Sequence, residues 1–343
     1  MHEFFMRRCL QLAAGGRGRT GINPMVGAVL VRNGQIIAEG VHREFGRAHA
    51  ERELLWKLEP ANQSARSARF GALREICSTD ALYVNLEPCC HTDKKTPPCT
   101  DAIIKSGLKR VVFGMQDPNP SVCGRGLEIL RASGIEVIGP VLEDECRRFN
   151  RGFLSLQEGR RPWITLKIAR TRTGKVAHDD GSMMKITSTE QNAWSHEFLR
   201  ARHDAILVGV GTILTDDSRL TMRACSGERV ASSQPYRIVL DPTLRIPFAA
   251  RVLNDDLVSK TIIVCMPEAD SGKKSELRSR GAHIVECSVQ DGSFDFSELW
   301  RLFTTPKNYF YGISSILVEG GPKTWDAFRK AGMVDEEITL VGE

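Results

Sequence analysis

Three short stretches carry most of the chemistry in this sequence: His49-Ala50-Glu51, Glu87-Pro88-Cys89-Cys90-His91 and Thr96-Pro97-Pro98-Cys99. One imidazole and two thiolates form the ligand set of a catalytic zinc, which leaves its fourth position to water; a closed structural site takes a fourth protein ligand. Glu51 stands two residues from His49 at the start of an expected helix, so its carboxylate reaches that water without ligating the metal. There it can take a proton and pass it to a ring nitrogen and a departing amine, which is the task of the acid–base group in a zinc-dependent deamination. A helix expected after Pro97-Pro98 brings its positive dipole end to both cysteines and favours their thiolate forms. Cys90 adjoins Cys89 and competes with it as a ligand; Cys89, directly after Glu87-Pro88, is preferred. A purely structural zinc module is the plainer alternative, and it requires a fourth protein ligand.

These side chains need elements to hold them. Phe4, Phe5, Cys9, Leu12 and Ala13 recur at helical spacing until Gly15-Gly16. Apolar runs at 26–31 and 36–41 flank Asn33-Gly34, which supplies the positive φ angles of a tight hairpin turn. A helix over 48–58 follows, then a polar surface loop over 60–80. Strands at 81–86, 110–114 and 135–138 alternate with helices at 100–106 and 127–132, the pattern of an α/β layer with crossover helices. A polar helix from 143 to about 156 ends at Gly159-Arg160-Arg161-Pro162, and a strand begins at Trp163. The change of domain is placed near 150, giving domains at 1–148 and 149–343. The second half predicts helices at 189–202, 274–280 and 296–303, and strands at 205–210, 237–240, 261–265, 283–286 and 315–318. Gly320-Gly321-Pro322 opens a last helix, and 337–341 is a final apolar strand.

Composition narrows the class. The chain has 343 residues, 41% hydrophobic and 26% charged, which excludes disorder, collagen and coiled coil and leaves room for two domains. A net charge of +5 spread along the whole length suits a phosphorylated small molecule as well as nucleic acid and identifies neither. Against nucleic acid, the charge is not clustered and no basic, aromatic-rich stretch is present to stack bases. No apolar run reaches the ~18 residues of a membrane helix, and Phe4-Phe5-Met6-Arg7-Arg8 has charge after its apolar residues, unlike a signal peptide. Ten cysteines without a secretory signal are expected as thiols in a reducing cytoplasm. Cys9, Cys146, Cys225, Cys265 and Cys287 read as small packing residues, and ordinary packing is the expectation for His42. His91 is balanced between a substrate contact and a loop contact.

The first half resembles the riboflavin-biosynthesis family that joins a pyrimidine deaminase to a pyrimidine reductase, often called RibD. The resemblance rests on Asn23-Pro24-Met25-Val26-Gly27, His49-Ala50-Glu51, Leu86-Glu87-Pro88-Cys89 and Thr96-Pro97-Pro98-Cys99. It is sharpened by Met115-Gln116-Asp117-Pro118-Asn119-Pro120 and Gly124-Arg125-Gly126, which separate this family from tRNA, cytidine and guanine deaminases. It implies a cytidine-deaminase-like three-layer α/β/α domain with zinc on His49, Cys89 and Cys99, Glu51 as catalytic proton shuttle, and Asn23 on the substrate base. The implied substrate is a diaminopyrimidinone bearing a phosphoribosylamino group, which loses its ring amine as ammonia. Nine residues separate Cys89 from Cys99, one more than usual in the family it resembles, through Thr92-Asp93-Lys94-Lys95. A loop absorbs one residue at little cost in closure entropy. Lys94 and Lys95 are candidates for the substrate phosphate, against the commoner solvated role.

From Arg161-Pro162-Trp163 onward the chain is similar to the same family's reductase half, which implies a dihydrofolate-reductase-like α/β fold and NADPH. Thr187-Ser188, Leu199-Arg200-Ala201, the run from Ala205 to Thr212 into Asp216-Asp217, Leu220-Thr221-Met222-Arg223 and Val318-Glu319-Gly320-Gly321-Pro322 carry it. By resemblance Ala169, Thr212, Asp216, Gly321, Pro322, Lys323 and Thr324 bind NADPH. Arg200, Leu220, Arg223 and Glu319 line the substrate, the two arginines suiting its phosphate. The implied step is hydride transfer that turns ribosyl into ribityl. Three departures support a second reading, a deaminase whose reductase-like domain is not catalytic. The usual Ser-Leu-Asp-Gly reads Thr171-Arg172-Thr173-Gly174, the expected Ser and Trp segment reads Met183-Met184-Lys185, and the chain stops at Gly342-Glu343 where the family usually continues. That stop is expected to leave an unpaired sheet edge for a partner subunit. A cytoplasmic homo-oligomer acting on a small phosphorylated pyrimidine, without nucleic acid or membrane, completes the expectation.

Overall fold

The computed structural model describes residues 1–58, 76–91, 97–176, 178, 184–223, 233–290, 292–307 and 310–342. The chain divides into two compact units, Met1–Gly159 and Arg160–Glu343. Lys94, Lys95, Thr96, Met183, Cys225 and most of the loop over 60–80 lie outside the described residues.

In the first unit, α1 (His2–Ala13) precedes the hairpin β1 (Gly27–Arg32) and β2 (Gln35–Val41). Asn33 and Gly34 adopt φ 49° and 78°, the two left-handed residues that a two-residue hairpin needs. α2 (Ala50–Trp56), β3 (Ala81–Val84), α3 (Cys99–Lys105), β4 (Arg110–Phe113), α4 (Arg125–Ala132), β5 (Glu136–Ile138), α5 (Glu143–Phe149) and α6 (Arg151–Gly159) follow. The sheet order is β2-β1-β3-β4-β5. β1 runs antiparallel to both neighbours, and β3, β4 and β5 are parallel.

Two glycines reveal the layering. Gly27 pairs with Val41 and Gly40 with Ala28, so Gly27 and Gly40 face opposite sides of the sheet. A side chain on Gly27 would strike the backbone of Cys9 and Ala13 in α1; one on Gly40 would strike Ala50 and Leu54 in α2. Helices therefore cover both faces, and β1 and β3 are apolar and buried along nearly their whole length.

The predicted single helix from 143 to 156 is two helices broken at Asn150, whose side chain turns instead to the backbone of Met25. The units divide at Gly159/Arg160 rather than at 148/149, because Phe153 and Leu154 of α6 pack into the core of the first unit.

The second unit contains β6 (Trp163–Thr171), α7 (Thr189–Trp194), β7 (Ala205–Gly209), α8 (Val210–Asp216), β8 (Tyr236–Leu240), β9 (Thr261–Cys265), α9 (Ser271–Ser279) and β10 (His283–Glu286). A small ladder of β11 (Val289–Gln290) and β12 (Ser293–Phe294) leads to α10 (Phe296–Thr304), β13 (Ser315–Val318), α11 (Pro322–Lys330) and β14 (Glu336–Gly342). The main sheet has seven strands in the order β10-β9-β8-β7-β13-β6-β14, all parallel. Alternate residues feed two cores. Ala205, Leu207, Ile238 and Ile262 pack with α10 and α11, whereas Ile206, Val208, Val239 and Ile263 pack with Ile213 and Leu277 of α8 and α9. β7 stops at Gly209, where the sequence predicts one more strand residue, and Val210 already begins α8.

Candidate active sites

His49 is the N-cap of α2, in extended conformation, and Cys99 is the first residue of α3. Cys89 lies in the loop after β3. Nδ1 of His49 is 3.5 Å from Sγ of Cys89 and 3.4 Å from Sγ of Cys99. All three ligand atoms lie within 4.8 Å of one another, close enough for one tetrahedral ion with bonds of about 2.0–2.3 Å. The Cys99 N–H donates to Sγ of Cys89 at 3.3 Å, which favours the thiolate. Among the described residues no fourth ligand joins the group, as an open catalytic site requires.

Glu51, in the first turn of α2, is 3% exposed, and its Oε2 has no hydrogen-bond partner. Burial, reinforced by the neighbouring Cys89, pushes this carboxyl above the usual carboxylate range. Asn23 is held from behind. His42 Nδ1 is 3.1 Å from the Ala48 carbonyl, which only accepts, so Nε2 accepts from Asn23 Nδ2 at 3.3 Å. Burial lowers the pKa of this imidazole. The loop behind Asn23 is pinned twice: Met25 N–H donates to Asn150 Oδ1 at 2.8 Å, and the Met25 carbonyl accepts from Asn85 and Asn150 at 3.0 Å each.

Glu87, two residues before the Cys89 ligand, is buried and accepts three backbone N–H groups. Oε2 takes those of Asp117 (3.3 Å) and Gly124 (2.9 Å), and Oε1 takes that of Gly126 (3.0 Å). The stretch that distinguishes the family thus works as a seat for Glu87.

In the second unit, β7, β13 and β6 are adjacent and parallel, so their carboxyl ends share one edge of the sheet. That edge is where α/β sheets bind ligands. Ala169 lies near the end of β6, Thr212 and Asp216 on α8 after β7, and Gly321 to Thr324 at the start of α11 after β13. A side chain on Gly209 would meet Thr324 Oγ1 at 2.8 Å, and one on Gly320 would meet it at 2.7 Å. Gly321 caps α11 with no side-chain bond, Pro322 follows, and the space beside Gly321 is open. This open helix start, with the positive end of its dipole, fits a phosphate-bearing dinucleotide.

Arg200 follows a π-helical turn at Ser195–Leu199. Its Nε and Nη2 grip Glu319, the shortest contact being 2.6 Å, and Nη1 donates to the Thr221 carbonyl at 2.6 Å. Burial alone would raise Glu319, but the charges of Arg200 and Lys167 and the Arg200 hydrogen bonds hold it at about 2. The fork expected to take a phosphate is therefore occupied by Glu319. Arg223 is the contrast: it has no partner among the described residues, and its Nε is buried. Burial and then the charges of Arg200, Arg251 and Arg219 lower its pKa. Leu220, next to Thr221 in the chain, is buried at φ 51°, a strained conformation for a branched side chain.

His196 carries no motif and is legible only in the structure; its Nδ1 is 3.0 Å from the Thr221 carbonyl and 3.1 Å from Arg200 Nη1. The Arg172 and Thr173 departures fall on an exposed turn closed by Gly174 at φ 86° and by a 2.9 Å contact between the Thr171 and Thr173 hydroxyls. Lys185 is exposed.

Residues 1–115 match the cytidine and deoxycytidylate deaminase zinc-binding region, and residues 162–342 match the RibD C-terminal domain. The chain is 39% identical over 337 residues to the riboflavin biosynthesis protein RibD of Aquifex aeolicus (strain VF5), covering 98% of this chain and 85% of that protein. The chain belongs to the RibD family. RibD of Escherichia coli (strain K12) is 35% identical, with 99% and 87% of the two chains covered. The structure of Acinetobacter baumannii RibD, form 1, superimposes with a TM-score of 0.77 at 30% identity over 99% of this chain and 86% of that one. The Thermotoga maritima diaminohydroxyphosphoribosylaminopyrimidine deaminase/5-amino-6-(5-phosphoribosylamino)uracil reductase gives 0.76 at 35% identity, with coverage of 99% and 86%. With both halves present, this member of the family is a bifunctional deaminase and reductase of riboflavin biosynthesis, with zinc in the first half and NADPH for the second. The reading in which the second half is silent is not favoured. No described helix is long and apolar enough to cross a membrane.

Proposed function

We propose that the first unit deaminates a diaminopyrimidinone bearing a phosphoribosylamino group, and that the second reduces the ribosyl group of the resulting uracil to ribityl. The observation that carries the first assignment is the meeting of His49, Cys89 and Cys99 beside a buried carboxylate oxygen that has nothing to bind. His49 Nδ1 and the two thiolates would hold zinc, which supplies a water acidic enough to attack a ring carbon at neutral pH. Glu51 carries at Oε2 first one proton of this water to the ring nitrogen and then the second to the amine, which leaves as ammonia. Asn23, oriented through His42, hydrogen-bonds the pyrimidine edge. The pinning of Met25 by Asn85 and Asn150 fixes its approach.

In the second unit, Ala169, Thr212, Asp216 and the turn from Gly321 through Pro322 and Lys323 to Thr324 would bind NADPH, which supplies the hydride. Arg200 and Glu319, locked together, form one wall of the substrate site, and Leu220 another. Arg223 takes the phosphate as the cation that lacks a counter-charge. The enzyme works in the cytoplasm, as an oligomer, on a soluble phosphorylated pyrimidine and without nucleic acid.

The test is a single cuvette. The purified chain receives the aminated phosphoribosyl pyrimidine and NADPH, and ammonia and absorbance are followed together. Ammonia matched by NADPH oxidation is expected. Ammonia alone would overturn the reductase assignment, and neither product would overturn both.

A further inference from the structure

The polar cluster around Arg200 holds more unsatisfied groups than an ion pair explains. Besides the buried Nε of Arg223, the hydroxyls of Ser195 and Thr221 are buried with no hydrogen-bond partner. Ser195 opens the π-helical turn, and Thr221 follows the strained Leu220. A π-turn, a left-handed leucine and the orphaned polar atoms of Thr221 and Arg223 beside Arg200 mark a place shaped for a ligand. His196 is the titratable side chain carried by that turn. Its Nδ1 faces the Thr221 carbonyl and Arg200, whereas its Nε2 has no partner among the described residues and is not sealed from solvent.

We propose that His196 is a further phosphate ligand of the reductase site, donating from Nε2 to the substrate's phosphate monoester beside Arg223. The inference rests on the reductase reading above, in which this cluster receives that phosphate. Its chemistry follows from a proton count. The Thr221 carbonyl already accepts from Arg200 Nη1 at 2.6 Å, and Nδ1 lies 3.1 Å from that same donor, so a neutral ring with its proton on Nε2 serves a phosphate oxygen while Nδ1 accepts from Arg200. A second proton, on Nδ1, adds a bond to the Thr221 carbonyl, and a bound dianion favours that imidazolium form.

Without an anion the ring is neutral: burial, and then the charges of Arg200 and Arg223, hold it at about 4, with Glu319 pulling weakly the other way. A bound dianion cancels the repulsion from the arginines and adds its own attraction, so the imidazole pKa rises and a proton is taken up. The site thus binds a dianion more tightly as pH falls from 7 toward 5.

Sulfate tests this without the complication of its own titration, because it remains a tetrahedral dianion throughout that range. Calorimetric titration of the full chain with sulfate in two buffers of different ionisation enthalpy should show proton uptake, with affinity increasing as pH falls. In His196→Gln the uptake should vanish, and affinity at pH 5.5 should drop about tenfold. The reductase KM for its phosphorylated substrate should rise while kcat stays within about twofold, as expected for an interaction made equally in ground and transition states. His196→Asn serves as a second variant if Gln perturbs folding, judged by thermal melting. Equal affinity, equal uptake and the same pH slope in the wild-type chain and the His196 variants would overturn the proposal. Arg223→Ala separates the two levels. If it too leaves sulfate binding unchanged, the phosphate reading of the cluster fails. If it abolishes binding while the His196 variants do not, only the role of His196 fails.

Discussion

The two units solve the problem of assembling a site in opposite ways. In the first, two helix starts and one loop bring three ligand atoms to a point, with Cys99 10 positions after Cys89 and His49 40 positions before it. In the second, the groups are spread along the carboxyl ends of neighbouring strands, and the central ion pair joins residues 119 positions apart. A compact site depends on a few side chains and fails when one is changed. A distributed site depends on the sheet that aligns it and yields more gradually.

The sharpest test of that contrast is Glu51→Gln. It should retain zinc by metal analysis and lose ammonia release by about a thousandfold, since only the proton relay is removed. NADPH oxidation with the deaminated substrate should continue, and loss of both would break the separation of the two sites.

Glu319→Gln probes the distributed site. It leaves Arg200 buried and uncompensated, and should destabilise the second unit by about 3 kcal/mol in denaturant titrations. The same pair sets an acid limit. Glu319 is held at about 2 when folded, below the usual carboxylate range. Its stabilisation is therefore present above that usual range and is lost as pH falls toward 2. Acid unfolding of the second unit over this window should be less steep in the variant, and an unchanged profile would remove Glu319 as its cause.

Asp216→Ala, on an exposed face of α8, should raise the KM for NADPH by only about fivefold and leave ammonia release untouched. The smallest effect is expected from Arg172→Leu, on the solvent turn after β6. Both activities should stay within about twofold, and a large reductase loss would show that this turn reaches the chemistry.

The same contrast explains what could be read from the sequence. His49, Cys89 and Cys99 declare themselves because metal ligation restricts residue type and spacing together. Asn33-Gly34 declares the hairpin because few other pairs take two positive φ angles. The start of α8 is hidden because Gly209-Val210-Gly211 continues an apolar run and nothing in it caps a helix. The break at Asn150 is hidden because its cause, the backbone of Met25, lies 125 residues away. The same holds for Arg200, whose fork looks free for a phosphate until the fold brings Glu319 against it, and for His196, a lone imidazole in a helical pattern. Local chemistry is written locally, whereas a side chain whose role depends on a distant partner reveals it only once the sheet has formed.

Glu87 carries one more consequence. The segment from Asp117 to Gly124 forms no strand or helix, and connections of that kind usually exchange their amide protons with solvent within moments. Here the N–H groups of Asp117, Gly124 and Gly126 are bound to one buried carboxylate. Their exchange in heavy water should therefore keep pace with that of the central strands rather than with other loops. The wall beside the Cys89 ligand would then open only when the whole first unit does, so on the timescale of turnover it behaves as a rigid body.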